Sequence, residues 1–300
     1  IKIYKIRGSY KKVEVYELKI NMRVIIEGST DFPKELLDKM GVKVVGINIA
    51  FGDENYIGGV DISEETFYKK MRGCKELPKT SSPSPEKFIE MFDCEEEEIL
   101  IITLTSKLSS TYSSAVLAKN IYLEHNPGVN KRIAVVDSLS GSIGVGLMVY
   151  KANKLIQEGK SLKEVAEYLE NIKTDLAFYG VLNTLDNAIK GGRVNPIAGK
   201  LINALNFKVI IEISEGVVKP IDKARGESNS VKKLLEIVKN NVNDTTNKTL
   251  VIGHSNCEEK AYKIAKQIEE NYEYKDIIIS SIGPVMGTYT SEGAILIAVL

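Results

Sequence analysis

Short apolar runs alternate with helical patterns along most of this chain, and this alternation limits its fold more than any other feature. The runs have the length and composition of buried strands, and the segments between them are long enough for helices. The predicted strands are Val24–Glu27, Val42–Ala50, Ile99–Thr103, Ile133–Asp137, Ala177–Leu182, Val209–Ile213, Leu250–Gly253, Ile277–Ser280 and Ile295–Val299. The predicted helices are Glu64–Met71, Pro85–Phe92, Tyr112–Leu123, Ile143–Gln157, Leu162–Lys173, Leu185–Lys190, Ile197–Leu205, Val231–Asn241 and Glu258–Asn271. Such alternation predicts a parallel sheet with helices over its faces.

The pattern changes after about residue 174, where two strand-like runs flank Glu215-Gly216 and predict a hairpin with a tight turn. We therefore predict a two-domain α/β protein. Residues 22–174 form a parallel-sheet α/β/α domain, and residues 175–300 form a smaller α/β domain with a mixed sheet. Residues 1–21 alternate charged and apolar side chains. We interpret them as an N-terminal extension outside the functional core, and a non-native origin for it stays open.

The composition excludes several classes of function. Lys+Arg and Asp+Glu balance at 40 each, so no net charge attracts nucleic acid or an anionic membrane. No apolar run is long enough to span a bilayer, and we expect no stable membrane insertion. Three cysteines without metal-ligand spacing favour a reducing cytoplasm over a disulfide framework. With only His125 and His254 in the chain, we expect no metal site.

Several helix starts and ends are marked by capping residues. Ser161-Leu-Lys-Glu164 and Ser255-Asn-Cys-Glu258 both match the Ser-x-x-Glu capping box. Ser84 precedes Pro85, and this order predicts an N-cap followed by proline in the first turn.

Two hydroxyl-rich loops flank the predicted strand Ile99–Thr103. Thr80–Ser84 precedes this strand, and Thr105–Thr111 follows it and leads into a helix. Ligands of open α/β sheets bind where strands end and helices begin. Neutral hydroxyl donors at such a place predict a site for a carboxylate or a phosphate.

Gly191-Gly192-Arg193 follows a short predicted helix and has two interpretations. The glycines suit a helix C-terminus, with one of them in the left-handed conformation. Arg193, just beyond them, could in addition meet an anionic head group. The sequence alone does not choose between these interpretations.

Nucleotide binding and serine hydrolysis find little support. The glycines after Asp137 do not have the G-x-G-x-x-G spacing of a dinucleotide-binding loop, and the chain contains no Walker motif. We predict instead that Gly144 and Gly146 allow their helix to pack closely against a sheet. No G-x-S-x-G elbow occurs either. A hydrolase or transferase that uses Ser106, Ser109 or His254 is the alternative to a binding protein. It requires a histidine within hydrogen-bond reach of a loop serine.

Taken in order, these segments resemble the DegV family of bacterial fatty-acid-binding proteins. The resemblance runs from about Val24 to the last residue. Its motifs are Gly28–Pro33 (family D-S-T-x-D-L-P), Pro78–Ser84 (P-K-T-S-Q-P-S), Thr105–Thr111 (S-S-K-L-S-G-T), Lys190–Arg193 (K-G-G-R), Gly216–Arg225 (G-x-x-x-P-x-x-K-x-R) and Gly287–Ala294 (G-T-H-T-G-P-G-A).

The resemblance implies a protein that binds one long-chain fatty acid between two domains and presents its carboxylate to a separate ATP-dependent fatty acid kinase. On this view the chain is a carrier in bacterial phospholipid metabolism, not an enzyme, and it needs no cofactor besides its lipid. The ligand-binding residues that it implies are Thr80, Ser81, Ser106, Ser109, Thr111, Arg193 and Tyr289.

The chain departs from the family pattern near this predicted site. Tyr289 replaces the family's histidine, Ser291-Glu292 replaces Gly-Pro, and Ser110 replaces a glycine. We expect Tyr289 to donate a hydrogen bond to the carboxylate and Glu292 to add a negative charge close to it. These departures could change the coupling to a kinase and the preference for a head group. The alternative ligand is another amphiphile, such as a lysophospholipid.

Overall fold

The computed structural model describes residues 22–196 and 207–300. The predicted N-terminal extension and the predicted helix Ile197–Leu205 lie outside the described residues. The strands are β1 (Met22–Glu27), β2 (Lys43–Val45), β3 (Ile47–Phe51), β4 (Glu54–Gly58), β5 (Lys79–Ser81), β6 (Glu98–Thr103), β7 (Arg132–Asp137), β8 (Ala177–Leu182), β9 (Phe207–Ser214), β10 (Val217–Arg225), β11 (Thr249–His254), β12 (Asp276–Ser281) and β13 (Ile295–Val299). The helices are α1 (Lys34–Lys39), α2 (Glu64–Gly73), α3 (Pro85–Ile89), α4 (Thr111–His125), α5 (Ile143–Gln157), α6 (Leu162–Ile172), α7 (Asp186–Lys190), α8 (Glu227–Asn241), α9 (Glu258–Asn271) and α10 (Pro284–Thr290).

The first sheet is parallel throughout, with the strand order β2-β1-β6-β7. Its central strand β6 is buried on both faces. Ile99 and Ile101 pack into one hydrophobic cluster, and Leu100 and Ile102 pack into another on the opposite face. Alternate residues of a strand point to opposite faces, so a continuous apolar run suits a strand that is covered by helices on both sides. The predicted parallel sheet is confirmed.

The second sheet is mixed and has the strand order β10-β9-β8-β13-β11-β12. Among its described strands, only β11 and β12 pair in parallel, and β13 lies antiparallel between β8 and β11. The predicted hairpin is confirmed, because Glu215 and Gly216 both have positive φ angles (54° and 79°), as a two-residue hairpin turn of the primed type requires. The division of the chain at residues 174 and 175 stays a prediction.

A third sheet, of order β4-β3-β5, corrects the predicted single strand Val42–Ala50. The chain leaves the parallel sheet after Val45 and enters the antiparallel sheet at Ile47. Gly46 makes this change possible, because a Cβ at this position would lie 1.9 Å from Ile57 Cγ2. The elements α1, β4, β5 and α10 were not predicted.

Helix α5 joins the two larger sheets, since it contacts β6 on one side and β11 and β13 on the other. All residues from Ile143 to Tyr150 are buried, as expected for a helix that is apolar around its circumference. The predicted packing role of its glycines is confirmed. A Cβ on Gly144 would lie 3.2 Å from Phe178, and one on Gly146 would lie 2.5 Å from Phe32.

The predicted caps have mixed outcomes. Ser161 and Glu164 form the complete capping box of α6. Ser84 is the N-cap of α3 and Pro85 follows it as predicted, but the Ser84 side chain makes no capping hydrogen bond. The capping box predicted at Ser255 is wrong. Helix α9 has Cys257 as its N-cap, and the buried Ser255 hydroxyl instead lies 3.0 Å from Thr290 Oγ1.

Candidate functional site

A largely apolar cavity lies where the hairpin β9–β10 and helix α10 meet the loops of the parallel sheet. Its cavity volume is about 80 Å³, below the roughly 300–1,000 Å³ of sites for drug-sized ligands, so a long occupant requires the lining side chains to move apart. The apolar lining consists of Ile47, Leu104, Leu108, Phe178, Leu182, Ala188, Ile211, Ile213, Val218, Val285, Met286 and Leu296. The polar lining consists of Thr80, Ser82, Ser109, Arg193, Tyr289 and Thr290.

Two hydroxyl groups from distant parts of the chain meet in this lining. Thr80 Oγ1, on β5, lies 2.5 Å from the phenol oxygen of Tyr289, on α10. Either oxygen can be the donor, so the pair has one hydroxyl hydrogen left for a ligand.

The loop between β6 and α4 brings the second group of hydroxyls. Ser109 Oγ lies 2.9 Å from Thr111 Oγ1 and accepts a hydrogen bond from the Thr111 backbone N–H at 3.3 Å. Ser110 is the N-cap of α4, and its hydroxyl lies 2.5 Å from that of Ser82. The two hydroxyl-rich loops therefore touch each other at the cavity.

Arg193 enters the cavity from the end of α7. Gly192, with a φ of 76°, ends the helix, and the N–H groups of Gly192 and Arg193 return to Ile189 O and Ala188 O. This is the hydrogen-bond pattern of a Schellman motif, and the predicted helix C-terminus is confirmed.

The guanidinium of Arg193 is held by the backbone and by a ring. Its Nε donates to Leu108 O at 3.2 Å, its Nη1 donates to Gly191 O at 2.6 Å, and its Cζ lies 5.0 Å from the ring centroid of Tyr289. A cation over an aromatic face is favourable, and this contact orients both side chains. The remaining guanidinium N–H groups can meet an anion.

Comparison with known protein families shows which proteins this chain is related to. The profile described as uncharacterised protein, DegV family, matches residues 21–300. The chain belongs to the DegV family. A DegV domain-containing protein of Clostridium perfringens is 31% identical over 280 residues, which cover 92% of this chain and 98% of that protein.

Solved structures of DegV proteins share the fold. The DegV family protein of Ruminococcus gnavus, described with vaccenic acid, has a TM-score of 0.87 at 30% identity, and the match covers 94% of this chain and 100% of that one. The fatty acid kinase B3 protein of Streptococcus pneumoniae, loaded with linoleic acid, has a TM-score of 0.83 at 26% identity, with coverages of 92% and 98%. These relatives are fatty-acid-binding proteins with the same α/β architecture.

Four of the seven ligand-binding residues that the DegV resemblance implied line the cavity, namely Thr80, Ser109, Arg193 and Tyr289. The other three predicted residues, Ser81, Ser106 and Thr111, do not line it. Strand β5 alternates its side chains, and Ser81 therefore points away from Thr80 and accepts a hydrogen bond from Asn48 Nδ2 at 3.3 Å.

Ser106 and Thr111 have other surroundings in the same loop. Ser106 is exposed, and its backbone N–H donates to the Asp137 carboxylate at 3.2 Å. Thr111 is fully buried behind Ser109. Among these three, Thr111 supports the site indirectly, through its contact with Ser109.

Sequence reasoning missed Ser82, Thr290 and most of the apolar lining. Both residues lie inside the family motifs. The period of two along an extended segment could have pointed to Ser82 beside Thr80, whereas Thr290, which directly follows Tyr289 on a helix, carries no such signal. The apolar wall on β9 carries a local signal, since Ile211 and Ile213 are two residues apart and face the same side.

Glu292 does not point its charge into the cavity. Its carboxylate accepts two hydrogen bonds from Arg72, at 2.9 and 2.6 Å, and a third from Asn256. These hydrogen bonds, chiefly those from Arg72, lower the pKa of Glu292. The negative charge that the DegV comparison led us to expect beside the ligand is therefore paired with Arg72 outside the cavity.

The hydrolase alternative lacks the contact that it requires. His254 is buried at the end of β11, its pKa is lowered by burial, and its Nδ1 has no partner among the described residues. Within residues 22–196 and 207–300, neither histidine hydrogen bonds a serine of the Thr105–Thr111 loop.

The described part of the chain also contains no group of three or more His, Cys, Asp or Glu that could hold a metal ion. Its helices include none that is long and apolar enough to cross a membrane.

Proposed function

We propose that this chain binds one long-chain fatty acid in the cavity, with the carboxylate at the polar lining. One observation carries the proposal, namely that an apolar cavity ends at two hydroxyl-bearing loops and one arginine. Thr80, Ser109, Tyr289 and Arg193 offer donors of the kind that a carboxylate accepts. The DegV relatives described with vaccenic acid and with linoleic acid support this assignment.

The acyl chain supplies most of the binding free energy. Burying one methylene contributes roughly 0.8 kcal/mol, so about fourteen methylenes contribute on the order of 11 kcal/mol before the costs of association. Net hydrogen bonds contribute about 0.5–1.5 kcal/mol each. The hydroxyl groups therefore mainly orient the carboxylate, whereas the cavity holds the tail.

We further propose that the chain is a carrier that presents the carboxylate to a separate ATP-dependent kinase subunit, which forms the acyl phosphate. Hydroxyl donors can fix a carboxylate while leaving one oxygen free to react. The Streptococcus pneumoniae relative is a fatty acid kinase B3 protein, which supports this role.

Paired serine variants test the binding site. Ser109→Ala removes a hydroxyl that lines the cavity, and Ser106→Ala removes one that is exposed in the same loop. In titrations with palmitic acid, we expect Ser109→Ala to weaken binding about two- to tenfold, the effect of one hydrogen bond, and Ser106→Ala to leave it unchanged. Equal affinities of both variants and the wild type would refute the assignment of the head-group site.

A competition experiment tests the class of ligand, and a coupled assay tests the partner. Competition by lysophospholipid or by a fatty alcohol against bound palmitate tests whether a carboxylate is preferred, and displacement by either compound at equal concentration contradicts the proposal.

A coupled assay with ATP and a bacterial fatty acid kinase catalytic subunit tests the carrier role. We expect acyl phosphate only when both proteins are present, and its absence with a loaded protein excludes this partner.

A further inference from the structure

Gly180 lies in the middle of the sheet face that forms the floor of the cavity. Strand β8 places Phe178 and Leu182 on this face, and both of them line the cavity. Alternate residues of a strand share a face, so Gly180, which stands between them, points to the same side. Because glycine has no side chain, the surface of the sheet is bare backbone at this point.

Two apolar side chains flank this bare point on the neighbouring strands. Gly180 pairs with Ile211 of β9 and with Leu296 of β13, and both of these residues line the cavity. Neighbouring strands lie about 4.8 Å apart, so the backbones at Ile211 and Leu296 are roughly 10 Å apart across the sheet. The three positions form a row in which the middle side chain is missing, and we call the space above Gly180 the floor groove.

The side chain of Leu296 leans into the floor groove and covers Gly180. A Cβ on Gly180 would lie 2.5 Å from Leu296 Cδ2 and 3.3 Å from Ile211 Cγ1. The methyl group of Leu296 therefore occupies the space that a side chain at position 180 would take. A leucine can leave this space by changing its side-chain rotamer, whereas the Cβ of a residue at position 180 would stay there in every rotamer. The floor groove is thus a place where the small cavity can gain room for a long occupant.

The floor groove lies deeper in the cavity than the polar lining. Strand β8 runs from Phe178 toward Leu182 and then leads into α7, which Arg193 follows. The opposite end packs beneath α5, since a Cβ on Gly144 would lie 3.2 Å from the ring of Phe178. Gly180 is two residues, or about 7 Å, from Leu182 on the way from Arg193 toward α5. A short acyl chain with its carboxylate at Arg193 would end before the floor groove, and a longer one would pass over it.

We propose that Gly180 is a specificity-determining residue for acyl-chain length, because the tail of a long fatty acid lies over its bare backbone in the space that Leu296 vacates. A side chain at position 180 would fill the floor groove from below, and overpacking of a close apolar contact is costly. This cost falls on the ligands whose tails reach the groove. The inference rests on the proposed function.

Binding of saturated fatty acids of increasing length to Gly180→Ala tests the proposal. Gly180 is a strand residue without a positive φ, so alanine fits the backbone and the effect arises from the filled space. The ratio of the variant to the wild-type dissociation constant is measured for decanoic, lauric, myristic, palmitic and stearic acid. We expect a ratio near one for the shortest acid and about tenfold or more for the longest. A ratio that is the same for all lengths overturns the proposal.

Gly253→Ala is the matched control. Gly253 of β11 pairs with Leu296 on the side away from Gly180, and a Cβ there would lie 2.9 Å from Ile143 Cγ2 on α5. This substitution overpacks the same sheet against a helix instead of the cavity. We expect it to lower the stability in urea denaturation and to leave the ratio of dissociation constants independent of chain length. A length dependence equal to that of Gly180→Ala would assign the effect to general strain in the sheet and overturn the proposal.

Leu296→Val keeps the proposal testable if Gly180→Ala does not fold. This change shortens the side chain that covers Gly180, and we expect the affinity for stearic acid to rise several-fold relative to that for myristic acid. An unchanged preference between the two acids overturns the proposal. A wild-type protein that binds none of the acids refutes the proposed function and this inference with it, whereas wild-type binding with a length-independent ratio in Gly180→Ala refutes the role of Gly180 alone.

Discussion

The phenol of Tyr289 has a partner on each of three sides. Its oxygen lies 2.5 Å from Thr80 Oγ1, and its ring lies under the guanidinium of Arg193. Its edge packs against Gly191, where a Cβ would come within 2.4 Å of Tyr289 Cε1. At the residue scale, Tyr289 connects three segments that are far apart in sequence, and its hydroxyl faces the cavity where a carboxylate is proposed to bind.

Removing the Tyr289 hydroxyl should weaken ligand binding without disturbing the fold. Tyr289→Phe keeps the ring and its contact with Arg193 but loses one hydrogen bond, so we expect palmitic acid affinity to fall about two- to tenfold. Tyr122→Phe is the matched control, because that ring packs against Phe92 away from the cavity. Titration calorimetry of both variants checks the prediction, and a Tyr289→Phe protein with wild-type affinity contradicts it.

Adding a methyl group at Gly191 should displace the Tyr289 ring. The φ of Gly191 is −76°, so alanine is compatible with the backbone and the effect arises from contact alone. We expect Gly191→Ala to weaken palmitic acid binding and to lower the free energy of unfolding by about 1–3 kcal/mol, as for other overpacked sites. Gly128→Ala, which meets no atom within 4 Å, is the control for urea denaturation and binding. Equal behaviour of the two variants is evidence against a close Gly191–Tyr289 contact.

At the scale of elements, the N-terminal caps of the helices differ in how much they contribute to the free energy of unfolding. Ser161 and Glu164 satisfy two backbone N–H groups at the start of α6, whereas Ser84 makes no such bond at α3. We expect Ser161→Ala to lower the free energy of unfolding by about 1 kcal/mol and Ser84→Ala to cost much less. Urea denaturation of both variants measures this difference, and a larger loss in Ser84→Ala is the contrary result.

Elements with a strong local pattern could be predicted from the sequence, and those set by distant contacts could not. The bounds of α5, β8 and β13 were predicted correctly, because long apolar periodicity or a short buried run defines each of them. Strands β4 and β5 are short and largely exposed, so they carry little periodic signal. Ser255 matched a capping box, but its hydroxyl is engaged by Thr290 in the folded chain.

Dependence on long-range contacts also limits what the sequence predicts about the candidate site. Family motifs brought Thr80, Ser109, Arg193 and Tyr289 to attention, and all four line the cavity. The choice of Thr80 over Ser81 depends on which face of β5 meets α10, and that pairing spans more than 200 residues of sequence. Glu27 and Asp31 accept hydrogen bonds from the backbone N–H groups of Leu104 and Gly283, and these long-range contacts leave no local signal in the sequence either.

At the scale of the whole molecule, the buried carboxyl groups of Glu27 and Asp31 should make stability fall as pH rises. Their pKa values are raised to about 7 in the folded chain, so between about pH 4 and 7 the folded state binds more protons than the unfolded state. The stability that they contribute is complete below the unfolded pKa values and is lost as pH rises through the folded ones. The loss is on the order of 3 kcal/mol per group.

Urea denaturation of the wild type and of Glu27→Gln or Asp31→Asn at several pH values checks this direction. The difference between each variant and the wild type isolates one carboxyl group, because the other titrations are common to both proteins. We expect the difference to shift in favour of the variant as pH rises from 5 to 8, by an amount of the order given by the raised pKa. A difference that does not change with pH contradicts the burial of an ionising group.

The central claim is that the cavity between the two larger sheets holds one long-chain fatty acid. Native mass spectrometry of the purified protein, followed by extraction and identification of the released lipid, tests it most directly. We predict one bound molecule per chain, with the mass of a long-chain fatty acid, and its loss after extraction into organic solvent. A protein that is purified empty and also takes up no added fatty acid contradicts the claim.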